Sequence, residues 1–198
     1  MIDSNDRRLV FAAILMLSGT ASSHAAIAWN EGAQGDLSND RLAPTVLTLE
    51  PGSNSISGFT GNSGQGVDRD YVTFSVPDGS TLSALRILGT TTISGGSSFI
   101  ALQAGPQITA SPEGAGAASL LGYTHYSLDN VGINLLSFLA PTLPGGLPAG
   151  TYSAWVQETG GPVNYDFDFV LTPVPLPAAA WLMISGLLGL AAVRKRRV

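Results

Sequence analysis

The chain has 198 residues and a formal charge of −5, with 44% hydrophobic and only 12% charged residues. It contains no cysteine, which excludes disulfide bonds, thiolate metal sites and a cysteine nucleophile. Between residues 26 and 173 there are twelve acidic and three basic side chains, a formal charge of −9. A body this acidic has no patch that neutralises phosphates, so nucleic-acid binding is disfavoured.

The first 25 residues have the pattern of a secretory signal peptide. Two arginines precede nine apolar residues, and small side chains at Ser23 and Ala25 stand three positions and one position before a cut. The apolar run is far shorter than the roughly 20 residues of a membrane span, which favours a cleaved leader over an uncleaved anchor. We predict cleavage before Ala26 by signal peptidase after Sec-type export, with a cut after Ala28 as the alternative.

The 148 residues from 26 to 173 have the length of one domain. Turn-forming residues interrupt this body roughly every 8 to 12 positions, and no segment keeps helical spacing for long, which predicts an all-β fold. Nine short strands indicate an antiparallel β-sandwich, with the turn at 158–164 closing a hairpin. The predicted strands are 45–49, 55–59, 70–76, 81–88, 97–103, 119–123, 132–138, 151–157 and 165–171.

Alternation along two of these strands assigns side chains to faces. Phe74 shares one face with its neighbours two positions away, and Phe167 and Phe169 share one face of the last strand. Asp166 and Asp168 then lie on the opposite face, where they meet water or a ligand.

Two segments of the body carry a family resemblance. Residues 68–82 read DRDYVTFSVPDGSTL and residues 147–152 read LPAGTY, and both resemble the bacterial pre-peptidase C-terminal domain. The similarity covers about residues 36 to 171. It implies a small, jelly-roll-like β-sandwich that accompanies secreted enzymes as a non-catalytic module.

Acidic and amide side chains cluster near residues 35–40 and 68–70. Calcium prefers six to eight oxygen ligands, and these two segments supply enough if the N-terminal segment folds back beside the strand that begins at 70. Acids near the N-terminus can bind calcium in the domains that this body resembles. The alternative is a pair of solvated turns in which the positive charge of Arg69 offsets the negative charges of the aspartates beside it. The predicted calcium ligands are Asp36, Asn39, Asp40, Asp68 and Asp70.

Aromatic residues suggest a sugar site, because carbohydrate recognition uses exposed rings with a flat apolar face. The predicted sugar ligands are Tyr126 and Trp155, with Tyr123 and Tyr152 as further candidates. Trp155 and Tyr152 project from opposite faces of one strand, so one of the two is expected in the core.

Catalytic residues are few. His125 is the only histidine after the predicted cut, and its surroundings lack the spacing of a serine nucleophile. Asp166 and Asp168 are roughly 7 Å apart on one strand, which permits glycoside hydrolysis without indicating it. The sequence favours a non-enzymatic protein, with a secreted hydrolase as the weaker alternative.

The last 25 residues have the pattern of a membrane-sorting tail. The motif Val174, Pro175, Leu176 and Pro177 leads into an uncharged run of 18 residues, 176–193, close to the lower limit for a membrane-spanning helix. Four basic residues follow and are expected to stay in the cytoplasm, so the body is expected outside. These residues are Arg194, Lys195, Arg196 and Arg197.

This tail resembles the PEP-CTERM sorting signal of Gram-negative bacteria that make exopolysaccharide, with Leu176 where the family usually has glutamate. The resemblance implies that an exosortase, a membrane-embedded cysteine transpeptidase, cuts near the motif and releases or re-attaches the protein. A permanent C-terminal anchor is the alternative.

These patterns predict an exported protein whose precursor is anchored in the inner membrane and whose product reaches the cell surface or an extracellular matrix. We expect a non-enzymatic role associated with exopolysaccharide or biofilm. The alternative is a carbohydrate-binding module with calcium dependence.

Overall fold

The computed structural model describes residues 25–62, 64, 66–93, 96–175 and Met183. The predicted signal peptide up to residue 24 and almost all of the predicted membrane helix and basic end lie outside the described residues, so these segments stay predictions. Within the described ranges, no helix is long and apolar enough to cross a membrane.

Within the described ranges the fold has ten strands and two one-turn helices, with 3-10 turns at Ala117–Ser119 and Leu128–Asn130. The helices are α1 (Glu31–Gln34) and α2 (Leu136–Leu139). The strands are β1 (Ala26–Asn30), β2 (Thr45–Leu47), β3 (Gly52–Asn62), β4 (Val67–Val76), β5 (Ser80–Ile87), β6 (Thr92–Ile93), β7 (Ser98–Ala104), β8 (Leu120–Tyr126), β9 (Gly150–Gln157) and β10 (Val163–Pro173). The predicted all-β class is confirmed.

The strands form one curled, mostly antiparallel sheet, ordered β5, β10, β3, β4, β9, β7 and β8, with β1, β2 and β6 paired to β3, β4 and β10. The pairs β1–β3 and β2–β4 are parallel. Strands β3 and β4 pair only beside their connecting turn, at Gly61 with Asp68 and Asn62 with Val67. The sheet curls at this point into a first half, made of β1, β3, β5, β6 and β10, and a second half, made of β2, β4, β7, β8 and β9.

The main core lies between the two halves. Phe74 of β4 meets Phe169 of β10 edge to face at 5.3 Å between ring centres, and Tyr126 of β8 meets Phe167 in the same way at 5.3 Å. All four side chains are at most 1% exposed. Burial of each such side chain contributes about 1.5 to 3 kcal/mol. The face assignments predicted from alternation in β4 and β10 are therefore confirmed.

Two predictions were wrong, one of a strand and one of a hairpin. The segment 132–138 is a loop that enters α2 rather than a strand. Its Asn134 accepts hydrogen bonds from the backbone N–H groups of Leu85 and Leu136 and donates one to the carbonyl of Ser83, so this side chain and isolated bridges, rather than a continuous ladder, hold the segment to β5. The turn predicted at 158–164 does not close a hairpin, because β9 pairs with β4 and β7 while β10, which already begins at Val163, pairs with β3 and β5.

The described chain ends lie at one end of the first half. On β3, Asn54 is paired with Ala26 of β1 on one side and with Phe169 of β10 on the other, and Leu171 is opposite Gly52. The turn between β3 and β4 lies at the opposite end of β3, which is roughly 33 Å away at 3.3 Å per residue. This opposite end is called the hairpin end below.

Candidate cation site

Three carboxylates converge near the hairpin end. One oxygen each from Glu31, Asp36 and Asp70 lies within 4.8 Å of the other two. Calcium binds oxygen at 2.3 to 2.6 Å, so two of its ligands on opposite sides are separated by about 4.8 Å. The spacing therefore suits three ligands around one calcium ion.

The strand β1 and the helix α1 bring the first two acids to this place. Because β1 runs parallel to β3, its last residue Asn30 lies beside Ser57, and Glu31 follows directly. The two carboxylate oxygens of Glu31 accept hydrogen bonds of 2.7 Å from the backbone N–H groups of Leu37 and Phe59. Glu31 thus ties the turn after α1 to the edge of β3 and holds the exposed Asp36 nearby.

Asp70 comes from the inward face of β4 and is fully buried. Its Oδ2 accepts a hydrogen bond of 2.6 Å from the Tyr165 hydroxyl of β10, while its Oδ1 has no partner in the described part of the chain. A buried acceptor without a donor costs about 1 to 3 kcal/mol. A cation bound by Glu31, Asp36 and Asp70 would compensate the charge of this buried carboxylate, so the residues present fit a calcium ion.

Burial and crowding raise the pKa values of the acids in this region. Loss of hydration raises the pKa of Asp70 to about 8, with further contributions from the charges of Glu31, Asp68 and Asp36, although the Tyr165 hydrogen bond opposes the shift. Burial likewise raises the pKa of Glu31, where two backbone hydrogen bonds act against it. Without a bound cation, the site favours a protonated Asp70 at neutral pH.

This shift predicts that the cation-free protein loses stability as the pH rises from about 5 to 8. An unfolded aspartate releases its proton near pH 3.9, whereas folded Asp70 holds it up to about pH 8, so the folded state binds more protons in this window. The free energy of unfolding should fall by up to about 1.4 kcal/mol per pH unit. Urea unfolding with a chelator at several pH values measures this slope, and equal slopes for the wild type and the Asp70→Asn variant would contradict it.

The other predicted calcium ligands have different partners. The Asn39 amide donates to Asp68 Oδ1 at 2.9 Å and accepts from the Arg69 backbone N–H at 2.7 Å. Burial raises the pKa of Asp68, with the Asn39 hydrogen bond acting against it and the charge of Asp36 adding to it. Asp40 accepts from the Leu42 N–H within a turn. Of the five predicted residues, Asp36 and Asp70 belong to the three-carboxylate cluster, and Glu31 was missed.

Three of the four aromatic residues considered for sugar binding are buried. Tyr126 is wholly within the core, where its ring packs on Phe167, so it presents no face to a ligand. Trp155 is 5% exposed and Tyr152 is 6% exposed, so both are buried where only one was expected. Tyr152 belongs to the main core, whereas Trp155 packs on the outer face of the second half. Tyr123, at 57%, is the exposed ring of the predicted set.

The residues considered for hydrolysis make contacts within the sheet. Asp166 accepts a hydrogen bond from the Ser57 hydroxyl, and Asp168 accepts one from the Ser53 hydroxyl, both across the β3–β10 pair. Asp168 also forms an ion pair with Arg86 at 4.0 Å. These partners account for the positions of both carboxylates without a substrate. His125 lies exposed on β8, with its ring 5.8 Å from that of Phe99.

Comparisons of this chain with protein families, with curated proteins and with solved structures find no match. The resemblances of the tail and of the body therefore stay predictions.

Proposed function

We propose that this chain is an exported, non-enzymatic protein of the cell surface or extracellular matrix, with a jelly-roll-like sandwich body that is stabilised by calcium. Its precursor is sorted through the exosortase pathway, and its product is associated with exopolysaccharide. The observation that carries the proposal is the cluster of Glu31, Asp36 and Asp70. No basic side chain of the described residues forms an ion pair with these acids, so an external cation is the natural source of compensating charge.

An extracellular location suits such a site. Extracellular calcium modules work with dissociation constants of about 10⁻⁴ to 10⁻³ M, and a site with three carboxylates, one of them exposed, belongs in that weak range. The predicted leader ends next to β1, so export would deliver the body to surroundings where calcium is abundant.

The ion has a structural role in this proposal. Glu31 and Asp36 belong to the segment that follows β1, while Asp70 belongs to β4 in the second half of the sheet. Calcium bound by all three neutralises their mutual repulsion and joins the N-terminal segment to the sheet. The contribution of the ion is therefore charge compensation and cross-linking, with no bond made or broken.

The position of the tail supports display at a surface. The strand β10 lies between β3 and β5 and leads directly into the motif that begins at Val174, whose N–H donates to the Gly79 carbonyl at 2.8 Å. A tail anchored in a membrane would thus hold the body by a central strand. The hairpin end and its acidic cluster would then face away from the membrane.

Intact mass tests the sorting step. The protein from medium and membrane fractions is compared between a strain with an exosortase and the same strain without it. We expect a product lacking the segment after the motif only in the first strain, and the double variant Pro175→Ala and Pro177→Ala should stay uncut there. A complete tail in both strains would replace this proposal with a permanently anchored surface domain.

A further inference from the structure

A row of aromatic rings crosses the outer face of the second half of the sheet. Tyr71 of β4 lies 5.8 Å from Trp155 of β9, and Trp155 lies 4.7 Å from Phe99 of β7 at an angle of 61°. Phe99 in turn lies 5.9 Å from Tyr123 and 5.8 Å from His125, both on β8. The row is continuous over four neighbouring strands because the cross-strand register aligns outward positions.

One end of the row is covered and the other end is open. The loop after β7 packs Ile108 and Ala110 on Tyr71 and Trp155, which form a second buried cluster separate from the main core. Tyr123, at the other end of the row, is 57% exposed. The loop stops short of the open end, and so part of the row remains accessible to a ligand.

A cleft of about 240 Å³ lies between this loop and the rings. Its volume is below the roughly 300 Å³ at which sites for drug-sized ligands begin, so it suits one small ring rather than a whole oligomer. Tyr123 extends the apolar floor beyond the cleft, where a second ring of the same polymer can rest. The cleft is lined, among others, by Phe99, Tyr123, Trp155 and Gln157.

The indole of Trp155 is buried and carries one polar atom. Its side chain is 95% buried, and its Nε1 has no acceptor among the described residues. An indole N–H is a donor only, and a buried donor without an acceptor is uncommon in folded proteins. This N–H has almost no accessible surface, so the rings that line the cleft, rather than the indole donor, supply its contacts with a ligand.

We propose that this cleft binds one residue of a neutral polysaccharide. A pyranose ring has an apolar C–H face that stacks on aromatic rings, which matches the Phe99 and Tyr123 floor of the cleft. The formal charge of −9 between residues 26 and 173 opposes a polyanionic glycan. The glycan is therefore of the uncharged class.

This inference rests on the proposed extracellular function, because free polysaccharide is met outside the cell. The cleft also lies towards the hairpin end, since Phe99 is paired with Gln157 and Gln157 with Arg69 near the start of β4. A precursor anchored by its tail would present the cleft away from the membrane. Binding in solution does not depend on tail cleavage, so failure of one test leaves the other intact.

Affinity electrophoresis tests the inference. The full chain, kept in detergent because of its apolar ends, is run through native gels that contain dextran, glucomannan or xyloglucan, with anionic alginate as the comparison. We expect retardation in at least one neutral gel and none in alginate. Tyr123→Ala should weaken binding by about tenfold, as expected for the loss of one stacking ring.

Two further variants separate binding from folding. Trp155→Phe leaves a cavity in the covered cluster and should lower the melting temperature, whereas Tyr123→Ala changes an exposed ring and should weaken binding without that loss of stability. Phe138→Ala removes an aromatic ring of similar exposure, 51%, that does not line the cleft, and it should bind like the wild type. Absence of retardation in every neutral gel, stronger retardation in alginate, or equal weakening by Phe138→Ala would each overturn the inference.

Discussion

Calcium is expected to raise the melting temperature of the wild-type chain by about 5 to 10 °C, and the Asp70→Asn variant is expected to lose this response. An ion present at 100 times its dissociation constant stabilises the folded state by about 2.7 kcal/mol, and each kcal/mol corresponds to about 2 to 4 °C for a domain of this size. The amide side chain of the variant would retain the oxygen that accepts from Tyr165 but lack the charge that a cation needs. Thermal unfolding at pH 8 with calcium and with a chelator measures both effects.

The cation-free state provides an internal control for this substitution. Asparagine resembles a protonated aspartate, the form that the raised pKa of Asp70 favours below about pH 8. In chelator at pH 8, Asp70→Asn should therefore be at least as stable as the wild type, which excludes misfolding as the reason for a lost response. Asp129→Asn removes an exposed acid away from the cluster and should keep the full calcium response. Equal calcium responses of the wild type and Asp70→Asn would refute the site.

The faces of the long strands could be predicted because burial of one face imposes a period of two. In β10 this period is uninterrupted, and in β4 it holds on the core face although Tyr71 and Thr73 on the other face are also buried, so Phe74, Phe167 and Phe169 were assigned correctly. The same rule separates Tyr123 from Tyr126, which stand three positions apart on β8 and thus on opposite faces. Applied to β8, it would have pointed to Tyr123 as the exposed ring in place of Tyr126.

The cation site was only partly predictable because it depends on a pairing that leaves no pattern in the sequence. Asp36 and Asp70 were found from the density of acids, but Glu31 reaches them through the parallel pairing of β1 with β3. That pairing joins residues nearly thirty positions apart, and it involves a short strand in which buried and exposed side chains do not alternate. The strand predicted at 132–138 was wrong for a related reason, because one polar side chain, Asn134, decides the conformation of this segment.

Replacement of Gly58 by alanine is expected to destabilise the protein by about 3 kcal/mol or more. Gly58 of β3 is paired with Tyr165 of β10, and a Cβ atom on Gly58 would lie 2.2 Å from the Tyr165 hydroxyl oxygen and 2.3 Å from its Cζ. The Tyr165 side chain is 1% exposed and cannot move without displacing its core neighbours. Overpacking costs about 1 to 3 kcal/mol, and the lost hydrogen bond to Asp70 adds to it. Urea unfolding measures the change.

The fold needs a glycine at this position because the ring that supports Asp70 occupies the space of a side chain. Gly145→Ala is the matched control, since a Cβ there meets no atom within 4 Å, and it should change stability little. Tyr165→Leu removes the three atoms that clash, the hydroxyl oxygen, Cζ and Cε1, so the double variant should lose less stability than the sum of the single variants. If the two losses simply add, Gly58 and Tyr165 do not share this space. If they couple, the two residues share this space, and Gly58 keeps it free for the ring whose hydroxyl donates to Asp70.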